Sequence, residues 1–131
     1  LTTVEFFRQA RARLSPEGVL AINVGRTAED YRLVEAMMAT LLEVFPSAHV
    51  IDVPHSFNAI IVATVQPTTT SNLAANLPIL EKKPFLHTTA SRALDNVRIV
   101  EPSGVVFTDD RASIELMTNS LLLDYVLGGE G

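Results

Sequence analysis

Residues 18 to 24, Gly-Val-Leu-Ala-Ile-Asn-Val, run for the length of one β-strand without a charge. A strand that is apolar on both of its alternating sides needs cover on two faces, which is the condition of a parallel strand inside an α/β sheet. Ahead of it, Val4, Phe7, Ala10 and Leu14 recur near the helical period, with Arg8, Arg11 and Arg13 mostly on the opposite side. A first amphipathic helix is therefore predicted. Thr2-Thr3-Val4-Glu5 has the spacing of a capping box at its start, and Ser15-Pro16-Glu17-Gly18 stops it. One parallel strand cannot make a doubly wound sheet. Its neighbours are expected either from sequence ahead of Leu1 or from a second copy of the chain. The chain opens at Leu1 without a methionine, almost inside a helix, as expected of a fragment or of a processed chain.

Thr27 and Asp30 repeat the capping spacing, and Leu33 or Val34, Met37, Met38, Leu41 and Phe45 form the stripe of a second helix that Pro46 ends. The paired methionines read as core filler. Ala48 to Val53 and Phe57 to Val65 are β-rich runs separated by Pro54-His55-Ser56, a connection too short for a parallel crossover, so these two are expected to be antiparallel neighbours. Helices are predicted from about Asn72 to Glu81, from about Pro84 to Asn96 and from about Ser113 to Leu127. The last should bury Ile114, Met117, Leu121 and Tyr125, with its glycine-rich end frayed. Arg98 to Val100 and Val105 to Phe107 read as short extended pieces.

Composition excludes several classes of function. The chain has 131 residues, 47% of them hydrophobic, enough for one globular domain with a core. Its net charge is −5 and its ten basic residues are scattered, so neither nucleic acid nor an acidic membrane is an expected partner. With no cysteine, disulfides and thiolate chemistry are excluded, and the three histidines lack metal-ligand spacing, so no metal is expected. Residues 53 to 80 carry no Asp, Glu, Lys or Arg, but prolines and polar residues interrupt the stretch, and it does not read as a membrane span. There is no signal-peptide pattern at the N-terminus, and a cytoplasmic location is expected.

The segments "LTTVEFF", "LSPEGVLAINV", "FNAIIVATVQP" and "VFTDDRASIELMTNSLLLDY" resemble the spermidine synthase-like, or polyamine aminopropyltransferase-like, family. That resemblance covers essentially the whole chain. It implies an α/β fold: the C-terminal part of a methyltransferase-like Rossmann sheet, built from helix, parallel strand, helix, antiparallel strand pair and C-terminal helices, with residues 1–131 forming the C-terminal half of a catalytic domain. The activity implied is transfer of an aminopropyl group from decarboxylated S-adenosylmethionine to a small amine, by a protein of polyamine biosynthesis that forms dimers. In the family the nucleoside-binding loop, the acidic ribose-binding residue and the catalytic aspartate all precede the segment that Leu1 opens. This chain is therefore expected to lack them, to bind no cofactor by itself and to be inactive in isolation. None of the six glycines stands in a G-x-G-x-x-G pattern, which agrees.

Two departures bear on substrate. Family members often carry Gln-Gly-Glu where Asn23-Val24-Gly25 stand, and the hairpin connection often offers a tyrosine where His55-Ser56-Phe57-Asn58 has none. A diamine needs carboxylates or aromatic faces around its ammonium groups, and these positions supply neither carboxylate nor tyrosine.

Candidate substrate-binding residues are Asn23 at a strand end, His55 and Asn58 at the hairpin, and the paired carboxylates Asp109 and Asp110. Each also has an ordinary structural role: a strand-end hydrogen bond, turn polarity, and capping of a helix start, respectively. Arg111 is placed to pair with either acid. Asp52 reads as a lone acid on a strand, facing solvent beside His49 or His55. Two other readings remain: a non-catalytic interaction module that completes its sheet by pairing with another chain, and part of a small-molecule methyltransferase.

Overall fold

The computed structural model describes residues 2–111 and 114–128. In chain order these form α1 (Val4–Ala12), β1 (Val19–Gly25), α2 (Arg32–Leu42), β2 (Ser47–Asp52), β3 (Asn58–Thr64), α3 (Thr70–Asn76), α4 (Pro84–Asp95), β4 (Val97–Arg98) and α5 (Ile114–Gly128), with short 3-10 turns at Leu77–Leu80 and Asp109–Arg111.

The four strands lie in the order β1-β3-β2-β4, and every pairing is antiparallel. This corrects the expectation of a parallel strand without a neighbour. β1 pairs with β3 of the same chain along its whole length, from Val19 opposite Thr64 to Gly25 opposite Asn58. Its apolar run is compatible with an edge position because only one face packs on the core. Leu20, Ile22 and Val24 face the core opposite Ala63, Ile61 and Ala59, whereas Val19, Ala21 and Asn23 on the other face are exposed, Val19 by 57%. The predicted hairpin of β2 and β3 is present.

On the core side α2 lies across β1, β2 and β3, and its Leu33, Val34, Met37, Met38 and Leu41 are all buried. Phe45 joins the same core from beyond the helix end, which comes at Leu42 rather than at Pro46. Helix α1 packs on the same side through Val4 and Phe7. Gly18 is required where α1 turns into β1, since a Cβ there would sit 2.7 Å from the Cβ of Leu14.

Several ends differ from those expected. The N-cap of α1 is Thr3, whose hydroxyl accepts from the Phe6 amide, so the box does not start at Thr2. Thr27 and Asp30 do not cap α2. Instead the Thr27 hydroxyl accepts from the Asp30 amide and closes a turn, Asp30 accepts from the Arg32 amide, and Tyr31 stands at the N-cap. The helix predicted over 72–81 starts at Thr70 and tightens to a 3-10 turn at Leu77, where Pro78 removes an amide from the ladder. Of the extended piece expected over Arg98 to Val100 only Arg98 is paired, in a two-residue strand Val97–Arg98 against β2, while Val105 to Phe107 joins no strand among the described residues. In α5, Leu121 is buried as expected but Tyr125 is only half-buried, whereas the side chains of Ile114 and Met117, and residues 129–131, lie outside the described residues.

Phe107 is instead clamped between two helices. Its amide donates to the buried Thr40 hydroxyl at 2.9 Å, that hydroxyl donates to the Ala36 carbonyl, and the Phe107 carbonyl accepts from the Val4 amide at 2.9 Å. Thr40→Val keeps the shape but strands a buried N–H, and should cost about 1–3 kcal/mol in denaturant unfolding. Thr40→Ser retains the acceptor and should cost about 1 kcal/mol, the value of one buried methyl.

Candidate functional site

The polar centre of the molecule forms where β1 and β2 end, on the core side of the sheet. Strand alternation puts Arg26 on the same side as Val24, and Asp52 on the same side as Val50, so two charges arrive inside the fold. Arg26 Nε lies 3.0 Å from Asp52 Oδ1, with side-chain exposures of 9% and 18%. These two atoms are out of line for a hydrogen bond and neither has another partner among the described residues, so they attract as charges. The remaining polar groups are satisfied. Arg26 donates to the carbonyls of Thr27 and Val53, while the other Asp52 oxygen accepts from the Tyr31 hydroxyl at 2.7 Å and lies 3.4 Å from Arg98. Arg98 also stacks 4.2 Å from the centre of the Tyr31 ring, with Arg26 at 5.4 Å.

Burial pushes the Tyr31 phenol above its ordinary range, and its bond to the Asp52 carboxylate adds to the effect. At the start of α2, hydrogen bonding to Arg32 holds Asp30 below the usual carboxylate range. Arg32 also bonds Ser120 and Asp124, which fastens α5 to α2, and Phe57 meets Tyr125 edge-on at 5.1 Å. The Asp52 carboxylate is already engaged by two guanidiniums and a phenol, so this cluster positions the strand ends.

The residues singled out from sequence fall in three places. Asn23 and Asn58 share the exposed face of the β1–β3 ladder as diagonal neighbours, and the Asn23 side chain makes no hydrogen bond among the described residues. His55 stands at the β2–β3 turn with φ +57°, a left-handed conformation uncommon outside glycine. Ser56 locks that turn, its hydroxyl donating to the Val53 carbonyl and accepting from the Asn58 amide. Asp109 is tied instead to the start of α1: it accepts from the Thr3 hydroxyl at 2.6 Å and its amide donates to Glu5. Asp110 is exposed in the same 3-10 turn, while the side chain of Arg111 lies outside the described residues. Asp52 is the clear correction, since it faces the Arg26 cluster while His49, one face away, bonds Thr68.

Two cavities meet at His55. One, of about 280 Å³, lies against Arg26, Ser56 and Phe57, and the other, of about 610 Å³, extends to α4. Among the described residues no group of three or more His, Asp or Glu is arranged to hold a metal ion, and no helix is long and apolar enough to cross a membrane. No family model, curated protein or solved structure matches the chain.

Asp52→Ala leaves the Arg26 charge buried without its counter-ion and should destabilise the fold by about 3–5 kcal/mol, measured by urea unfolding. A second measurement follows from Tyr31. Because its folded pKa lies above the unfolded value of 10.0, the contribution to stability is complete below pH 10 and is lost as pH rises through the folded value. In a Tyr125→Phe background, the absorbance titration of Tyr31 should run above that of free tyrosine, and Asp52→Asn should bring it down.

Proposed function

We propose that this chain is the C-terminal part of a spermidine synthase-like transferase domain and is inactive in isolation. The observation that carries the reading is the course of the sheet. β1 and β2 both run antiparallel to β3, so they run in the same direction on either side of it, joined by α2 on the core face. An antiparallel strand set between two strands of common direction is what the end of a methyltransferase-type Rossmann sheet requires.

Handedness supports a continuation beyond β1. A crossover between strands of common direction in one sheet is nearly always right-handed. Helices α1 and α2 pack on the same face, so a strand that fed α1 and ran along β1 would have to lie on the side away from β3. That edge of β1 is unpaired among the described residues, and the adjoining Val19, Ala21 and Asn23 are exposed. In this reading the preceding half of the domain supplies the nucleoside loop, the catalytic aspartate and the site for decarboxylated S-adenosylmethionine. This half completes the sheet and walls the side where a small amine acceptor enters, with Asn23 and Asn58 on that wall. Asp109 closes the start of α1 through Thr3 and Glu5.

A second reading, an interaction module that pairs its sheet with another copy, is favoured by the same edge. Seven residues of β1 carry no charge or proline to discourage pairing.

Thermal shift with methylthioadenosine separates these. Stabilisation of a form extended upstream of Leu1, with none for the 131-residue chain, is the expected result. A shift in the short chain would mean that it carries a nucleoside pocket of its own. In sedimentation of the short chain, a dimer broken by Ala21→Lys on β1 would favour the interaction module.

A further inference from the structure

The larger of the two cavities at His55 is not used by the proposed transferase reading, and its chemistry is distinct. It opens between the end of β2, the β2–β3 turn and α4, and its polar lining comes from Asp52, His55, Thr89, Arg92 and Asn96, with Ile51 among the apolar contacts. At about 610 Å³ it is of the size that holds a small molecule rather than a few waters.

Its charge balance points to the ligand. Asp52 is the one carboxylate in the lining, and Arg26, Arg98 and Tyr31 already engage it. Arg92 makes no ion pair among the described residues, although it is exposed at the cavity wall. The cavity lining thus holds one carboxylate that two other guanidiniums already engage and one guanidinium, Arg92, with no counter-ion among the described residues, in a chain whose overall charge is −5. Arg92 and Asn96 keep free donors on the cavity side. Thr89 gives its hydroxyl proton to the Phe85 carbonyl, and Asn96 uses one amide N–H on the Arg92 carbonyl and keeps the second. The Arg92 fork matches the spacing of two oxygens on a carboxylate or phosphate. The locked turn holds His55 at the border of the cavity.

We infer that the cavity between the β2–β3 turn and α4 binds a small oxyanion-bearing ligand, with Arg92 as its main anchor and Asn96 and His55 as further donors. This does not depend on which strand neighbours β1.

The test is an amide-resolved NMR titration of the chain with inorganic phosphate and, separately, with succinate, at constant ionic strength and pH. Saturable shifts are expected at Val53 to Ser56 and Thr89 to Asn96, and Arg92→Gln should weaken them by about tenfold or more. Arg8→Gln on α1 should leave them unchanged. Saturation with phosphate alone would assign a phosphoryl-bearing ligand, and with succinate alone a carboxylate. Shifts that stay linear with both anions, or that persist in Arg92→Gln, would overturn the inference. The exposed position of Arg92 means its replacement removes no core contact, and an otherwise unchanged amide spectrum verifies the fold.

Discussion

The sheet is organised by the register of β3, the strand to which β1 and β2 both bond. Ala59, Ile61 and Ala63 all point to one side, where the two alanines leave room for α2 to lie close and Ile61 fills the space between them. A slip of one residue would turn Asn58, Ile60 and Val62 inward and rotate every partner with them. The same alternation decides where the charges go. Arg26 follows Val24 by two residues and Asp52 follows Val50 by two, so the register that buries the valines also brings the ion pair together.

That coupling explains why a charged pair is tolerated at the edge of an apolar core. Separating either ion from water carries a large penalty, and here it is offset by close approach, by the Tyr31 hydroxyl and by carbonyls that accept from the guanidinium. The cluster pins the start of α2 to the ends of two strands. Arg32 extends the same anchoring to α5, while Thr40 and Phe107 perform a neutral version of it between α1 and α2. The molecule is therefore stitched by polar contacts around its core, and the β2–β3 turn carrying His55 lies next to the Arg26–Asp52 pair.

Much of the fold was legible in the sequence, because helices and hairpins are written in short-range pattern. The stripe of α2, the β2–β3 pair and the proline-started α4 follow from periodicity and loop length. The direction of pairing of β1 was not legible, since an uncharged strand reads the same whether it is covered on two faces or stands at an edge. The candidate site was harder still. Asp52 looked solitary because its partners, Arg26, Tyr31 and Arg98, are distant in sequence, although its spacing from Val50 already placed it on the inward side. Arg92 gave no sequence signal at all, as one arginine on a helix resembles any solvated charge.

By itself the sequence determined the elements, their amphipathic faces and the absence of cysteine chemistry and of a glycine-rich phosphate loop, because each depends on residue type and spacing within a few turns. Only the tertiary structure decided that β1 bonds to β3, that two guanidiniums share Asp52, and that Asp109 serves the first helix through Thr3. Those outcomes depend on contacts between residues far apart in the chain, whose geometry is fixed only when the strands take their register and the helices close over them.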